Sequence, residues 1–355
     1  MSRGTTRFAA ALGAAVFVST GEALAGAPAH RADPLNLFVV VEAGDHHVTI
    51  LDGDRLEPIH RFASRGALCG APAFAPDARH VFLASCGGWV SKFDLWSLKT
   101  VAEVRAGLAT SNVAVSSDGK FVAVANDDPH TLVVLDAGLQ PVKILEARDL
   151  AKQHSSRVSA VHDVPQRRSF VAALADMKEL WEVSYDPAAP EIAQGLVHDY
   201  RLREGTFISG FLNPRRSLLE EAIETFRLLP DGRRLVGAAR GARTAQLIHL
   251  DVRRRIATVD LDAPLGPEHL DSLDAIDRRG LEFAARLRLE PARPPDNIAF
   301  DRHGRYVLAS LPEADDALIV YDTSTLKEVK RLSMRKPVGK YNVFNEIARQ
   351  TGSSH

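Results

Sequence analysis

Residues 91–107 read SKFDLWSLKTVAEVRAG: an apolar strand that closes on Asp94, a short turn, and a second strand. The same order of parts stands 42 residues earlier around Asp52, in VTILDGDRLEPIHRF, and 42 residues later around Asp136, in TLVVLDAGLQPVKIL. A fixed period of that length, built from short strands, marks an all-β chain of the β-propeller type, in which each repeat is one four-stranded blade. Further copies at Asp186 (ELWEVSYDP), Asp251 (AQLIHLDVRRRIATVDL) and Asp322 (ALIVYDTSTLKEVKRL) bring the visible units to six.

Within residues 68–107 four apolar segments are separated by Pro76-Asp77, Gly87-Gly88 and the loop after Asp94, which is one complete blade. The next repeat turns at Asp118-Gly119 between its first two strands. Later intervals lengthen to 50, 65 and 71 residues, so insertions belong there. Glu204 to Ile223, with its acidic SLLEEAIETF run, reads as a solvated loop with a helical turn. Residues 264–295 lose strand alternation and space their Leu and Ile as a helix does. The long last interval has room for one extra blade, so six to seven blades are expected. Ring closure is expected between LNLFVVVEA near the start and YNVFNEI near the end, because pairing both chain ends removes two exposed sheet edges.

The first 25 residues place Arg3 and Arg7 ahead of an apolar run from Phe8 to Val18 and end in Ala23-Leu24-Ala25, the pattern of a cleaved secretory signal. The run is too short to span a membrane. Residues 26–35 then read as a linker and 36–355 as the propeller. Export to the periplasm permits disulfides, which bears on Cys69 and Cys86, the two cysteines of the chain. Lys plus Arg (44) balances Asp plus Glu (45), so no nucleic-acid-binding face is expected. There is no c-type haem attachment motif, no convincing nucleophile elbow, phosphate loop or NAD fingerprint, and no histidine pair at metal-ligand spacing.

Three passages go beyond generic blade sequence: GWVSKFDLWSLKTVAEVRAG with VAVSSDGKFVAVAN, SRVSAVHDVPQRRSFVAALADMKELWEVSYDP, and LIVYDTSTLKEVKRLSMRKPVGKYNVFNEI. Together they resemble the haem d1 domain of haem-d1-containing nitrite reductases, and more closely NirF-type haem d1 biosynthesis proteins, over residues 36–260 and 297–355. The resemblance implies an eight-bladed propeller with a basic central pocket for haem d1 or a didecarboxysirohaem-type precursor. It also implies a periplasmic role in maturing the tetrapyrrole side chains, alongside other haem d1 biosynthesis proteins and nitrite reductase. Without a c-type haem motif, nitrite reduction by this chain alone is not expected. An oxidoreductase acting on the precursor and a non-catalytic carrier or scaffold both remain open.

A ligand with several carboxylates needs cations, and Arg suits because its planar fork binds carboxylate in bidentate fashion. The resemblance places Arg105 in VRAG, Arg157 in SSRVSAV, His130 in NDDPHTL and His198 in LVHDYR near the tetrapyrrole, with surface or turn duty the plainer reading of each. Asp127, Asp128 and Asp163 read as loop residues. Two departures bear on the metal: Cys69 stands where the resemblance puts an axial histidine, and Asn297 where it puts a second. Ser111 likewise stands where an arginine is frequent. Continuing a Phe74–Val81 hairpin register sets Cys69 opposite Cys86, compatible with a disulfide. A free Cys69 thiolate as iron ligand and two unpaired thiols are the alternatives.

Overall fold

A computed structural model describes residues 28–194, 206–261, 296–310 and 316–351. Residues 1–25, read above as a signal, His198 and residues 264–295 lie outside the described residues. In chain order the strands are β1 (Leu37–Glu42), β2 (His47–Asp52) and β3 (Glu57–Ala63), then β4 (Ala73–Phe74), β5 (His80–Ala84), β6 (Trp89–Asp94) and β7 (Lys99–Arg105). The third and fourth groups are β8 (Ala109–Val115), β9 (Phe121–Asp128), β10 (Thr131–Asp136), β11 (Pro141–Glu146), and β12 (Val158–Val164), β13 (Ser169–Leu174), β14 (Glu179–Ser184). A hairpin of β15 (Ile192–Gln194) and β16 (Thr206–Ile208) precedes β17 (Pro214–Leu218), which pairs with β14 as the outer strand of the same sheet. The rest are β18 (Thr225–Leu228), β19 (Arg234–Ala238), β20 (Thr244–His249), β21 (Arg254–Asp260), then β22 (Asp296–Phe300), β23 (Tyr306–Ser310), β24 (Ala317–Asp322), β25 (Glu328–Ser333), and finally β26 (Pro337–Asn342) and helix α1 (Val343–Thr351).

These make six four-stranded antiparallel sheets among the described residues, with β26, β4, β8, β12, β18 and β22 as their inner strands. The fold is the all-β propeller that the 42-residue period announces. The acidic run SLLEEAIETF is not the helical excursion expected of it. Ser217 and Leu218 end β17, Thr225 and Phe226 open β18, and the residues between carry the chain from the outer edge of one blade to the inner edge of the next. The strands take those residues because Ser217 and Phe226 are buried between sheets, a tertiary demand that local acidity does not reveal.

Closure joins β26 to β1, with Phe38 opposite Asn342 and Val40 opposite Lys340. The closing strand is PVGKYN, and the chain turns into α1 from Val343, so only the first part of YNVFNEI pairs. Buried Asn36 locks the joint: its Oδ1 accepts from the Arg302 amide at 3.0 Å and from Asn342 Nδ2 at 3.2 Å, and its carbonyl accepts from the Gly53 amide at 3.0 Å.

Apolar side chains are buried in layers between consecutive blades. Leu37, Val39 and Ile50 of the closing blade meet Phe74, Val81 and Phe93 of the next, with the Phe62 and Phe93 rings stacked at 4.2 Å. Phe82, Val90 and Val104 meet Val113, Val122 and Leu135, and Ala125, Leu132 and Val134 meet Phe170, Trp181 and Val183. A strand buried on both faces needs apolar residues at successive positions, which is why TLVVL and SFVAAL read as continuous runs.

The repeated aspartate has a local cause. Asp52 accepts the amides of Asp54 and Arg55, Asp94 those of Trp96 and Ser97, Asp136 those of Gly138 and Gln140, and Asp322 those of Ser324 and Thr325. Each carboxylate thus caps the turn between the third and fourth strands. The turn ends on a leucine in the left-handed region, Leu56, Leu98, Leu139 or Leu326. Such a backbone costs about 1–2 kcal/mol, and burying a leucine returns about 1.5–3 kcal/mol, so burial wins at Leu56 and Leu139. At Asp251 the pattern changes, and the carboxylate pairs across blades with Arg167.

Cys69 and Cys86 form a disulfide, Cα to Cα 5.0 Å. Phe74 does pair with Val81, but that register does not run on to the cysteines: Leu68 faces Ser85, and the Cys69 amide donates to the Ala84 carbonyl. Gly70, at φ +71°, and Pro72, with no amide hydrogen, interrupt the ladder and shift it by two residues. The bridge is therefore diagonal.

Asp163 lies in β12, not in a loop. Both its carboxylate oxygens are shut off from solvent without a well-aligned donor. Burial raises its pKa to about 7, although the Tyr185 hydroxyl and the Ser117 amide offset part of that cost.

Three outcomes are expected. In Gly53→Ala the added Cβ would stand 2.2 Å from the Asn36 carbonyl oxygen, so urea unfolding should lose about 2 kcal/mol or more, and a loss under 0.5 kcal/mol would remove the closure role of this contact. Cys69→Ser with Cys86→Ser should lower stability by about 2–4 kcal/mol, as a bridge across a separation of 17 residues does, and an unchanged urea midpoint would contradict it. A raised carboxylate pKa means that the folded state holds the proton longer, so stability falls as pH rises from about 4 to 7. Asp163→Asn escapes that loss: its melting temperature should match the parent near pH 4 and exceed it at pH 8, and an equal difference at both would refute the assignment.

Candidate functional site

Antiparallel order puts the starts of first and third strands, and the ends of second and fourth strands, on one face of the ring, here called the upper face. The capped Asp turns all lie on the opposite, lower face. The upper face collects the lead-ins to the inner strands and the turns between second and third strands, and it carries Cys69, Cys86, Arg105, His130 and Arg157.

Arg157 leads into β12 and meets Asp176 from the β13–β14 turn of the same blade. Its Nε and Nη2 donate to the two carboxylate oxygens at 3.0 and 2.8 Å, and its own amide donates to Oδ2 at 2.9 Å. The Asp176 amide donates to Ser156 Oγ, fixing the turn. The Arg157 guanidinium holds the Asp176 carboxyl below the usual range, and Asp176 in turn raises Arg157. Arg157 Nη1 stands 3.7 Å from Glu224, in the lead-in to β18, and Glu224 is held at 2.6 Å by Arg240 from the β19–β20 turn. A chain of charges, Asp176, Arg157, Glu224 and Arg240, thus crosses from one blade to the next.

His130, in the β9–β10 turn, reaches Ser155 Oγ through Nδ1 at 2.9 Å and contributes to the field on Asp176. Ser111 donates to Asp127 Oδ1 at 2.8 Å, and the Asn112 side chain exchanges hydrogen bonds with the Val161 backbone at 2.9 Å, tying β8 to β12. The Thr110 amide donates to the Cys86 carbonyl, so the disulfide loop is stitched to the following blade. His130 and Arg157 are therefore brought together around Asp176.

Arg105 is not part of that group. It is the exposed last residue of the outermost strand β7, opposite Trp89 of β6, whose ring carries the Arg65 guanidinium at 5.0 Å. Cys69 has its sulfur committed to Cys86 and offers no thiolate. Among the described residues no group of three His, Cys, Asp or Glu is arranged to hold a metal ion. Several arginines on the described part of the face pair with carboxylates: Arg61 with Glu42 and Asp45, Arg65 with Glu103, Arg157 with Asp176, and Arg240 with Glu224. Asp176, Glu224 and Arg240 carry no motif of their own. Their one signal in the sequence is position, beside the start of an inner strand or in a second-to-third-strand turn.

The Cytochrome D1 heme domain model matches residues 32–207 and 245–346. Among curated proteins, the dihydro-heme d1 dehydrogenase of Pseudomonas aeruginosa is 41% identical over 393 residues, covering 92% of this chain and 75% of that protein. Protein NirF of the same organism is 33% identical over 149 residues, covering 41% of this chain and 38% of its own length. The solved structure of dihydro-heme d1 dehydrogenase NirN in complex with DHE aligns with a TM-score of 0.75 at 40% identity, over 91% of this chain and 78% of that one. The similarity to the dehydrogenase thus runs nearly the full length, where that to NirF covers less than half. The chain belongs to the cytochrome D1 heme domain family.

Proposed function

We propose that this protein binds haem d1 or a late precursor on the upper face of the propeller, in the periplasm, as part of haem d1 biosynthesis, with Arg157 receiving a side-chain carboxylate. The observation that carries the reading is the 41% identity to dihydro-heme d1 dehydrogenase across 92% of the chain. The chemistry of the face fits. Arg157 is fixed in plane by Asp176 and is about one-third exposed, so a cation of matching geometry is accessible to a ligand carboxylate. A bound d1-type tetrapyrrole supplies the conjugated ring and the carboxylated side chains on which maturation acts. This chain's residues orient those side chains, with Asp176 holding the Arg157 guanidinium in place and the His130 ring beside them.

Periplasmic residence is supported by the Arg-led apolar segment and by the disulfide, which suits an oxidising compartment. Among the described residues no helix is long and apolar enough to cross a membrane. Interaction with other haem d1 biosynthesis proteins or with nitrite reductase belongs to the same reading. One observation favours a second reading, a tetrapyrrole-binding scaffold without dehydrogenase chemistry: the Cys69 sulfur is tied up at the position where the family resemblance puts an axial ligand.

Absorption titration with haem d1 and with didecarboxysirohaem tests the binding. A Soret shift is expected, with the affinity in Arg157→Ala reduced about 10-fold or more, the scale of a lost charged hydrogen-bond pair. No shift with either ligand would exclude the proposal. Mass analysis of dihydro-haem d1 extracted after incubation with an electron acceptor separates the two readings: a product lighter by two hydrogens marks a dehydrogenase, and unchanged mass a carrier or scaffold.

A further inference from the structure

A guanidinium offers more than one edge to a carboxylate. In Arg157 the Nε–Nη2 edge is filled by Asp176, which is tied to the same loop by the Arg157 amide. The Nη1 end is different. Its neighbour Glu224 stands 3.7 Å away, beyond hydrogen-bond reach, although both groups bear opposite charge and Glu224 is largely buried. Glu224 Oε1 is instead 2.6 Å from Arg240 Nη2. Asp127, the other carboxylate acting on Arg157, accepts from Ser111, and His130 is engaged with Ser155.

We propose that Arg240 is a positioning residue that draws Glu224 off Arg157 and so keeps the Nη1 end of that guanidinium open to a carboxylate of the tetrapyrrole, with Glu224 as the internal competitor. The inference rests on the reading of Arg157 as a carboxylate receiver and adds what sets its strength. The two arginines come from adjoining blades, Arg157 before β12 and Arg240 between β19 and β20, and Glu224 from the inner lead-in between them. Without Arg240 the nearest cation to Glu224 is Arg157, and closing 3.7 Å to contact needs only a side-chain rotation. An incoming ligand would then have to displace a carboxylate already in place. Arg240 is itself mostly exposed, so its replacement leaves the inter-blade core untouched.

The test is absorption titration with haem d1 and with its methyl esters on the full chain. Arg240→Gln should weaken haem d1 binding about three- to fivefold, the scale of one half-exposed ion pair. Glu224→Gln should tighten it by a similar factor. Arg240→Gln combined with Glu224→Gln should bind like Glu224→Gln, because the competitor is gone, and Arg240→Lys should recover most of the parental affinity. The esters, lacking the charge, should respond to none of these changes. An unchanged affinity in Arg240→Gln, an equal loss for acid and ester, or a double variant as weak as Arg240→Gln would overturn the proposal. A parent that binds haem d1 and loses it in Arg157→Ala, with no response at Arg240, overturns this inference alone. A parent that does not bind overturns the tetrapyrrole reading as well.

Discussion

The pairing of β26 with β1 is the constraint on which the remaining structure depends. From the β22–β25 sheet through the closing blade and on to the β18–β21 sheet, consecutive blades bury apolar side chains against each other, so a gap at any of these joints exposes both sides. Only at this joint do the two chain ends have to find each other, across roughly three hundred residues, and loop entropy opposes that meeting more than any other. Asn36 concentrates the compensating interactions, with its carbonyl and side-chain oxygen holding Gly53, Arg302 and Asn342 together. The inter-blade layers of Phe38, Leu308 and Val320 on one side and Leu37, Phe74 and Phe93 on the other are buried only once that joint is made.

The two faces of the ring divide the work between them. The lower face carries the regular devices: Asp caps, left-handed leucines, and hairpin turns at Asp77, Asp118, Asp231 and Asp301 that accept their own backbone amides. The upper face is irregular and charged, and its order comes from contacts between blades, such as the Thr110 amide with the Cys86 carbonyl and Arg157 with Glu224. Local chemistry sets the fold below, and tertiary contacts set the site above.

That division explains what could be read from the sequence. The caps repeat because each satisfies two amides of the turn that follows it, so the fold, the period and the closing segments were legible from Asp52, Asp94 and Asp136 outward. Arg157 and His130 were reachable through family resemblance, and Cys69 with Cys86 through hairpin reasoning that missed the two-residue shift at Gly70 and Pro72. Glu224 was hidden in a run that looked solvated, because its burial comes from a neighbouring blade and not from its own segment. Arg105 carried a promising context and yet ends an outermost strand, since strand order within a blade leaves no mark on a four-residue motif.

The capped turns between third and fourth strands hold a further implication. Between the aspartate that binds the amides and the left-handed leucine, the residues are GDR, LWS and TST in three of the blades, with no shared chemistry. Two anchors fix the path, and each blade uses the positions between them differently: the Gly53 amide donates to the Asn36 carbonyl, Leu95 is buried in the inter-blade core, and the Thr323 hydroxyl donates to the Gly304 carbonyl. The lower rim can therefore carry contacts particular to one blade while the path of the turn, and with it the strand register, is common to all of them. Specialisation of the individual joints is thus built into turns of one shape, on the side opposite the charged face.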